Sequence, residues 1–415
     1  MTNTQVDEVR RLIDGLRWDR RRHPSKGRRE YATRADEVAA QIDSLIEHGQ
    51  AAQAVPLARR AVERVTAALL YLDDSSGIVG DPLHELMSLY AKACMAAPPD
   101  PKRLAAWLVK TRLDGPGWPD VRLSEFKDAL GGRGLAELAR LVTERRITED
   151  PDSWTATVGV RDLREQLAAV SGDVDAHVAI LAEDLRGTYR YTEIVKVLHA
   201  AGRAQDAELW ARKGLSLDVA GHQADELRDR LVDLLLDNDR GEEALELRRS
   251  ALEQRTMHRD YTALRRTAER IGRWRQERAQ ALSVIRGRAG VDRRYVTELL
   301  NVLIDENLLD EAWELAITHS NELHESHWLQ LIELREVDHP GDVRAPYQDL
   351  IELRLQNTSD KYRYNKAIKM IARLGEVYRR SGDEARFPLY LTDFRDRHKR
   401  KTSFIAKLDR AGLRP

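Results

Sequence analysis

The sequence has a single cysteine, no long apolar run and no excess of either charge, and each shortage excludes a class of protein. Cys94 is the only cysteine in 415 residues, so neither an internal disulfide nor a cysteine-based zinc site can form. No apolar run approaches the length of a membrane span. The 68 basic residues nearly match the 69 acidic ones, so no overall field draws the chain to nucleic acid or to an anionic membrane. We therefore expect a cytoplasmic protein that does not enter membranes.

Recognisable catalytic motifs are also missing. The sequence has no phosphate-binding G-x-x-x-x-G-K, no dinucleotide fingerprint after a strand and no G-x-S-x-G elbow. Cys94 itself is interpreted as a packed core thiol, because Leu83, Met87 and Tyr90 share its apolar stripe at helical spacing. The sequence predicts a protein that is not an enzyme and needs no cofactor.

The sequence shows a helix-forming pattern along nearly its whole length. Hydrophobic residues make up 42% and charged residues 33%, and the apolar positions recur at intervals of three and four. Asp81-Pro82 and Asp100-Pro101 each place a capping carboxylate before a proline, which predicts a helix start at both sites. "GGRG" (131–134) lies between two helical patterns and predicts a helix end and a connection.

The second half of the chain carries a degenerate repeat of 33 to 37 residues. Residue types that tolerate a left-handed backbone recur where the first helix of each pair would end: Gly202, Asp239, Gly272 and Asn307. Five residues later a small residue recurs in three of the four joints: Ala207, Ala244 and Ala312. Glu277 breaks this pattern, and the same joint occurs earlier at Gly49 and Ala54. Period and joint both resemble tetratricopeptide-type hairpins.

We therefore predict an all-α fold, an α-solenoid of antiparallel helical hairpins with degenerate TPR-like repeats. Three stretches rich in Gly, Pro and Asp predict interruptions between helices, at 71–82, 113–121 and 147–155. The third is the predicted domain boundary. It separates an N-terminal helical block, residues 1–150, from a TPR-like stack, residues 151–415.

Two segments offer ligand atoms for a metal, but each has a simpler interpretation. "DDSSGIVGD" (73–81) lacks the ligand spacing of a calcium loop, and Asp81 is already assigned as a cap. His319, His324 and His327 form the densest ligand-capable cluster, without an H-E-x-x-H arrangement. We interpret the second segment as a solvated turn between helices and predict no metal site.

Basic clusters near both ends are candidate contacts for nucleic acid or for a partner. The N-terminal cluster spans 17–29 and includes Trp18, which could stack on a base. The C-terminal cluster supplies the candidate contact residues: Arg395, Arg397, His398, Lys399, Arg400 and Lys401. Apolar residues at helical spacing favour a solvated capping surface instead: Phe394, Phe404, Ile405 and Leu408.

Tryptophan is prominent among the aromatic residues, and we expect these side chains to fill gaps between hairpins. Besides Trp18 they are the following: Trp107, Trp118, Trp154, Trp210, Trp274, Trp313 and Trp328.

Several segments resemble the helical region of bacterial, especially actinobacterial, SWIM zinc-finger proteins. They include "RADEVAAQIDSLIEHG", "LYLDDSSGIVGD", "RLAAWLVKTRLDGPGW", "GRAQDAELWARKGL", "HWLQLIELREVDHPGDVRAPYQDLIE" and "FPLYLTDFRDRHKRKTSFIAKLDR". The resemblance implies a helical arm. The finger of that family needs C-x-C followed by C-x-H, which one cysteine cannot supply, so the finger's binding role does not transfer.

These observations favour a non-catalytic helical-repeat scaffold that mediates protein–protein interaction. The alternative is a nucleic-acid-associated regulatory protein that uses the terminal basic clusters.

Overall fold

A computed structural model describes residues 3–18, 27–115, 117–148, 155–217 and 222–415, and most of these residues are helical. Those ranges contain no strand. The chain divides into two compact units, Met1–Leu234 and Leu235–Pro415. The predicted boundary at 150–151 falls outside the described residues and stays a prediction.

The first unit is built from helices whose apolar faces pack on their neighbours along the chain. Its helices are α1 Asn3–Gly15, α2 Arg28–Glu47, α3 Ala51–Leu69, α4 Gly80–Ala96, α5 Pro101–Leu113, α6 Leu123–Thr148, α7 Arg161–Ser171, α8 Val174–Leu181, α9 Thr188–Ala200 and α10 Ala204–Leu215. A π-helical turn, Thr155–Val160, precedes α7, and α11, His222–Asp237, crosses into the second unit. A continuous buried apolar core runs through this unit from Val6 to Val170.

The second unit repeats the same construction. Its helices are α12 Gly241–Arg255, α13 His258–Arg270, α14 Trp274–Val291, α15 Val296–Asp305, α16 Leu309–Thr318, α17 Glu325–Arg335, α18 Arg344–Gln356, α19 Arg363–Arg380, α20 Arg386–Arg397 and α21 Thr402–Arg410. Short 3₁₀ turns at Arg293–Tyr295 and Ser320–Glu322 precede α15 and α17. Its own buried apolar core extends from Leu245 to Leu408.

Within each unit, many helices pack against the helix that precedes or follows them in the chain, as in a repeat stack. The closest packing joins α3 to α4, α5 to α6, α9 to α10, α12 to α13 and α18 to α19. Each helix thereby covers the apolar face of the next, which is how helical hairpins bury surface that none could bury alone. The predicted fold class, an all-α solenoid of TPR-like antiparallel hairpins, is confirmed. In the described part of the chain, no helix is both long and apolar enough to cross a membrane.

The predicted helix joints adopt the backbone conformation that the sequence required. Gly202, Asp239, Gly272 and Asn307 have φ angles of 73°, 57°, 71° and 55°. These values lie in the left-handed region that Gly, Asn and Asp tolerate best.

The small residues that follow the joints are fully buried: Ala54, Ala207, Ala244 and Ala312. Glu277, the exception, directs its carboxylate to the guanidinium of Arg249, with Oε2 2.8 Å from Nε.

Helices begin at both predicted sites, but only one of the two predicted caps is correct. Asp100 caps α5, because its side chain accepts the N–H of Arg103 at 2.8 Å and Pro101 is the first helical residue. Asp81, in contrast, lies inside α4. Its expected role is taken by Asp74, whose carboxylate accepts the backbone N–H groups of Val79 and Gly80 at 2.9 and 2.7 Å.

The predicted interruptions agree with the structure where it describes them. Residues 70–79 form turns before α4, and the described residues between 114 and 122 are not helical. Most of the stretch 147–155 lies outside the described residues. At "GGRG" the helix α6 is broken at Gly131, with φ 51° and ψ −172°, and it is helical on both sides.

Candidate protein-binding groove

An open groove in the second unit lies where the end of α16, the following 3₁₀ turn, the start of α17 and α18 meet. Its volume is about 370 Å³. The lining side chains are mostly apolar, with three polar ones among them: Ile317, Ser320, Asn321, Trp328, Ala345, Pro346, Asp349, Leu350 and Leu353. Ligand sites are commonly concavities of this size and character.

Trp328, which lines the groove, packs against a second tryptophan. The rings of Trp313 on α16 and Trp328 on α17 meet edge to face, with centroids 6.0 Å apart. The guanidinium of Arg335 lies 5.7 Å from the Trp313 ring on its way to the carboxylates of Asp310 and Asp342. Both indoles are buried.

Helix α18 contributes several of the side chains that line the groove. Pro346 lies in the first turn of this helix, where its missing N–H breaks no helical hydrogen bond. Leu350 lies one turn further and is buried, and Leu353 follows it at the rim. Spacings of three and four residues therefore align these side chains along one face of α18.

Two large apolar side chains stand at the rim in contact with water. Ile317 is 52% exposed and Leu353 is 57% exposed. Burying such side chains against a partner is favourable by about 25 cal/mol for each Å² removed from water. A groove with a buried tryptophan in its lining and exposed aliphatic side chains at its rim is suited to receive an apolar side chain of another chain.

Sequence reasoning did not find this groove. It singled out Trp313 and Trp328, but only as core residues. Ile317, Leu350 and Leu353 carry the ordinary helical pattern, and they meet only because α16, α17 and α18 pack together. The one local signal is Ile317, an apolar residue on the exposed face of α16 that also carries Glu314.

A second groove lies in the first unit, between α3 and α5, with a volume of about 310 Å³. Three of its polar side chains contact each other. The indole N–H of Trp107 donates to Glu63 Oε1 at 2.8 Å, and Arg59 Nε donates to the same oxygen at 3.0 Å. The Arg59 guanidinium also lies 5.5 Å from the Trp107 ring. These contacts bridge the two helices, which favours a structural role.

The C-terminal basic cluster is largely neutralised by carboxylates of the same unit. Arg395 donates to Asp409 Oδ1 at 2.7 Å. Arg397 pairs with Glu352, and His398 Nε2 lies 2.9 Å from the other oxygen of that carboxylate. These three candidate contacts therefore hold α20 against α18 and α21, and little of their charge is left for a phosphate.

Of the three remaining members of the cluster, two are exposed and Lys401 is partly buried. Lys399 is exposed and pairs with Asp396 at 3.0 Å, while Lys401 Nζ lies 3.2 Å from His398 Nδ1. Arg400 is exposed and has no ion-pair partner within the described ranges. These residues stay candidate contacts by prediction only.

The apolar residues of the same segment support its interpretation as a capping surface. Phe394, Phe404 and Leu408 are fully buried between α20, α21 and the preceding helices. At the other end of the chain, residues 19–26 of the N-terminal cluster lie outside the described residues. Trp18, which belongs to the same cluster and is described, packs edge to face on Tyr31, with ring centroids 5.6 Å apart.

The histidine segment is a helix start. The side chains of His324 and His327 form a reciprocal capping box at the first turn of α17, and His327 Nδ1 accepts the N–H of His324 at 3.2 Å. Partial burial lowers the pKa of His327 below its ordinary value. Within the described ranges, no group of three or more His, Cys, Asp or Glu side chains is placed to hold a metal ion.

Most tryptophans lie between helices, as expected, and one does not. Trp210 contacts Tyr191 and Trp274 contacts Tyr261, with centroids 5.8 and 5.5 Å apart. Trp118 is the exception, because half of its surface is exposed. Trp154 lies outside the described residues.

Cys94 is a core thiol. It is fully buried together with Leu83, Met87 and Tyr90, and burial raises its pKa to about 12. Its thiolate is therefore scarce at neutral pH.

Comparison with known families identifies the chain by sequence. Residues 7–407 match a family of unknown function, DUF6880. The chain belongs to this family. No curated protein matches this DUF6880 member.

Solved structures of other helical proteins align along most of the chain at low identity. Human IFIT1, solved as a dimer with m7Gppp-AAAA, is 12% identical over 94% of both chains, with a TM-score of 0.25. Yeast Tom70 is 12% identical over 98% of both chains, with a TM-score of 0.24. A chain of the Naa15/Naa10 complex bound to HypK is 12% identical over 98% of this chain and 65% of that chain, with a TM-score of 0.32. These TM-scores are too low to carry an argument about function.

Proposed function

We propose that the protein is a non-catalytic, cytoplasmic helical-repeat scaffold that binds a segment of a partner protein in the groove between α16, α17 and α18. The single observation that carries this proposal is the pair Ile317 and Leu353. Both side chains are more than half exposed, and they line the same groove as the buried Trp328. Exposed apolar surface around a concavity is typical of interaction sites.

The experiment places a photo-crosslinking residue at position 317 or 353 in the full chain and identifies the crosslinked peptide in native lysate. We expect both positions to react with one segment of the same partner. Crosslinking at position 389 is the matched control, because Leu389 is a still more exposed leucine of the second unit that does not line the groove. Equal products from all three positions would contradict the proposal.

The groove variant Ile317→Ser/Leu353→Ser makes this experiment quantitative. Because both side chains are largely exposed, the variant should fold normally, which far-UV circular dichroism would verify. We expect its affinity for the crosslinked segment to fall at least about tenfold, as when two apolar anchors are removed from an interface. Unchanged affinity would exclude the groove as the binding site.

Nucleic acid is the lesser candidate partner. Only the exposed side chains of Lys399 and Arg400 favour it, since Arg395, Arg397 and His398 contact carboxylates. Binding through phosphates should weaken steeply as salt rises. If replacing Lys399, Arg400 and Lys401 with Ala left RNA and DNA binding unchanged, this alternative would be excluded for the C-terminal cluster.

We also propose that the chain is related to the helical region of SWIM zinc-finger proteins, as the dispersed sequence resemblance suggests. Translation of the DNA upstream of the gene tests this. A C-x-C…C-x-H finger in the same or an adjacent frame supports the relationship. If the genomes that encode this family have no such finger, the main reason for proposing the relationship is lost.

A further inference from the structure

The rim of the α16–α18 groove is acidic as well as apolar. Asp349 lines the groove from α18, and Glu314 lies on the exposed face of α16 one turn before Ile317. Neither carboxylate has an ion-pair partner among the residues that the structure describes. No lysine or arginine lines the groove.

The nearest cations on α18 are already used by other carboxylates. Arg344 pairs with Asp383 and lies over the ring of Tyr378, 5.4 Å from its centroid. Arg354 pairs with Glu325 and Asp360. The negative charge at the rim is therefore not balanced from within α18, and it is available to a bound molecule.

We propose that the occupant is a segment of a partner protein in which an apolar side chain is flanked by lysine or arginine. This inference rests on the proposed function, and it adds the chemistry of the partner. The apolar side chain would contact Trp328 between Ile317 and Leu353, and the basic side chain would reach Asp349. Apolar burial supplies affinity, while complementary charge at the rim discriminates against acidic segments.

The test uses a displayed library of random linear peptides, selected against the full chain at low salt. We expect the selected peptides to combine a leucine, isoleucine, methionine or aromatic residue with a lysine or arginine within one helical turn. Their affinity should fall about threefold with Asp349→Asn and about tenfold with Asp349→Lys, as for exposed charge pairs. Raising the salt concentration should reduce these differences.

Asp338→Lys is the matched control, because Asp338 is an exposed aspartate of the same unit that does not line the groove. It makes the same change in net charge and should leave peptide affinity unchanged. Equal effects of Asp338→Lys and Asp349→Lys would show a general charge effect and overturn the inference.

The two proposals fail in different ways. Selected peptides that need Ile317 and Leu353 but lack basic residues would overturn the inference about charge and leave the groove's function intact. Peptides whose binding is indifferent to Ile317→Ser/Leu353→Ser would overturn the proposed function itself.

Discussion

Glu277 lies at the position in its hairpin where four other hairpins carry a buried alanine. Its carboxylate makes two contacts with the Arg249 guanidinium, at 2.8 Å to Nε and 3.0 Å to Nη2. This pair lowers the pKa of Glu277. A charged side chain is thus accommodated between α12 and α14 because its partner comes from the neighbouring helix.

We expect Glu277→Ala to destabilise the second unit by about 1–2 kcal/mol at pH 7, although alanine is the residue that this position carries elsewhere. Stability is lost because the guanidinium of Arg249 remains between the helices without the carboxylate that accepts two of its hydrogen bonds. Urea denaturation would measure it. Glu269→Ala is the matched control: Glu269 pairs with Arg265 at an exposed site, and its removal should cost at most about 0.5 kcal/mol.

The same variant has a defined pH dependence. Because the folded-state pKa of Glu277 lies below the unfolded value of about 4.3, the stabilisation is complete above that pH and is lost as pH falls through the folded-state pKa. The difference between wild type and Glu277→Ala should therefore shrink below about pH 4. A difference that persisted in acid would show that packing, and not the ion pair, is responsible.

At the scale of the single helix, the sequence predicts a helix end correctly where the residue that determines it lies at that end. The left-handed φ angles of Gly202 and Asn307 are intrinsic to those residue types, and Asp100 acts within its own turn. The start of α4 lies where the sequence predicted it, but the predicted cap, Asp81, was wrong. The capping carboxylate belongs to Asp74, five and six residues before the N–H groups from which it accepts hydrogen bonds. A loop must fold back to bring that carboxylate there, and no local pattern encodes the return.

Asp74→Ala should destabilise the start of α4 by about 1 kcal/mol, as for the loss of an N-terminal cap. Amide hydrogen exchange in the first turn of α4 would report it, because the N–H groups of Val79 and Gly80 lose their acceptor. Asp81→Ala is the matched control at the residue that the sequence favoured. It removes only an exposed charge near the helix N-terminus, and we expect a loss of about 0.3 kcal/mol. Equal effects would mean that the carboxylate of Asp74 is not the cap.

At the scale of the whole molecule, the charge-rich composition has a structural use. In the second unit, arginines of one helix repeatedly meet carboxylates of a nearby helix, as in Arg286 with Glu311 and Arg373 with Glu336. Periodicity was enough to predict the helical stack, because apolar spacing is a property of each segment. It could not predict the groove, whose residues come from three helices and follow no motif.

Because each unit has its own buried apolar core, we expect a substitution in one core to weaken mainly the unit in which it lies. Leu300 is fully buried in the core of the second unit, and Leu86 is fully buried in the core of the first. Leu300→Ala should cost about 2–5 kcal/mol, because it removes buried methyl groups and leaves a cavity. In repeat architectures such a loss acts mainly on neighbouring helices. Native-state hydrogen exchange should therefore accelerate in α13 to α16 and stay unchanged in α2 to α6.

Leu86→Ala is the reciprocal variant, for which the expected pattern is reversed: α2 to α6 should exchange faster, and α13 to α16 should not. The comparison is informative because both substitutions delete the same atoms from equally buried sites. If each variant instead accelerated exchange equally along the whole chain, the two cores would unfold as one cooperative body. The regional pattern follows from a fold in which each helix is covered chiefly by its neighbours along the chain, so that a cavity weakens only the contacts around it.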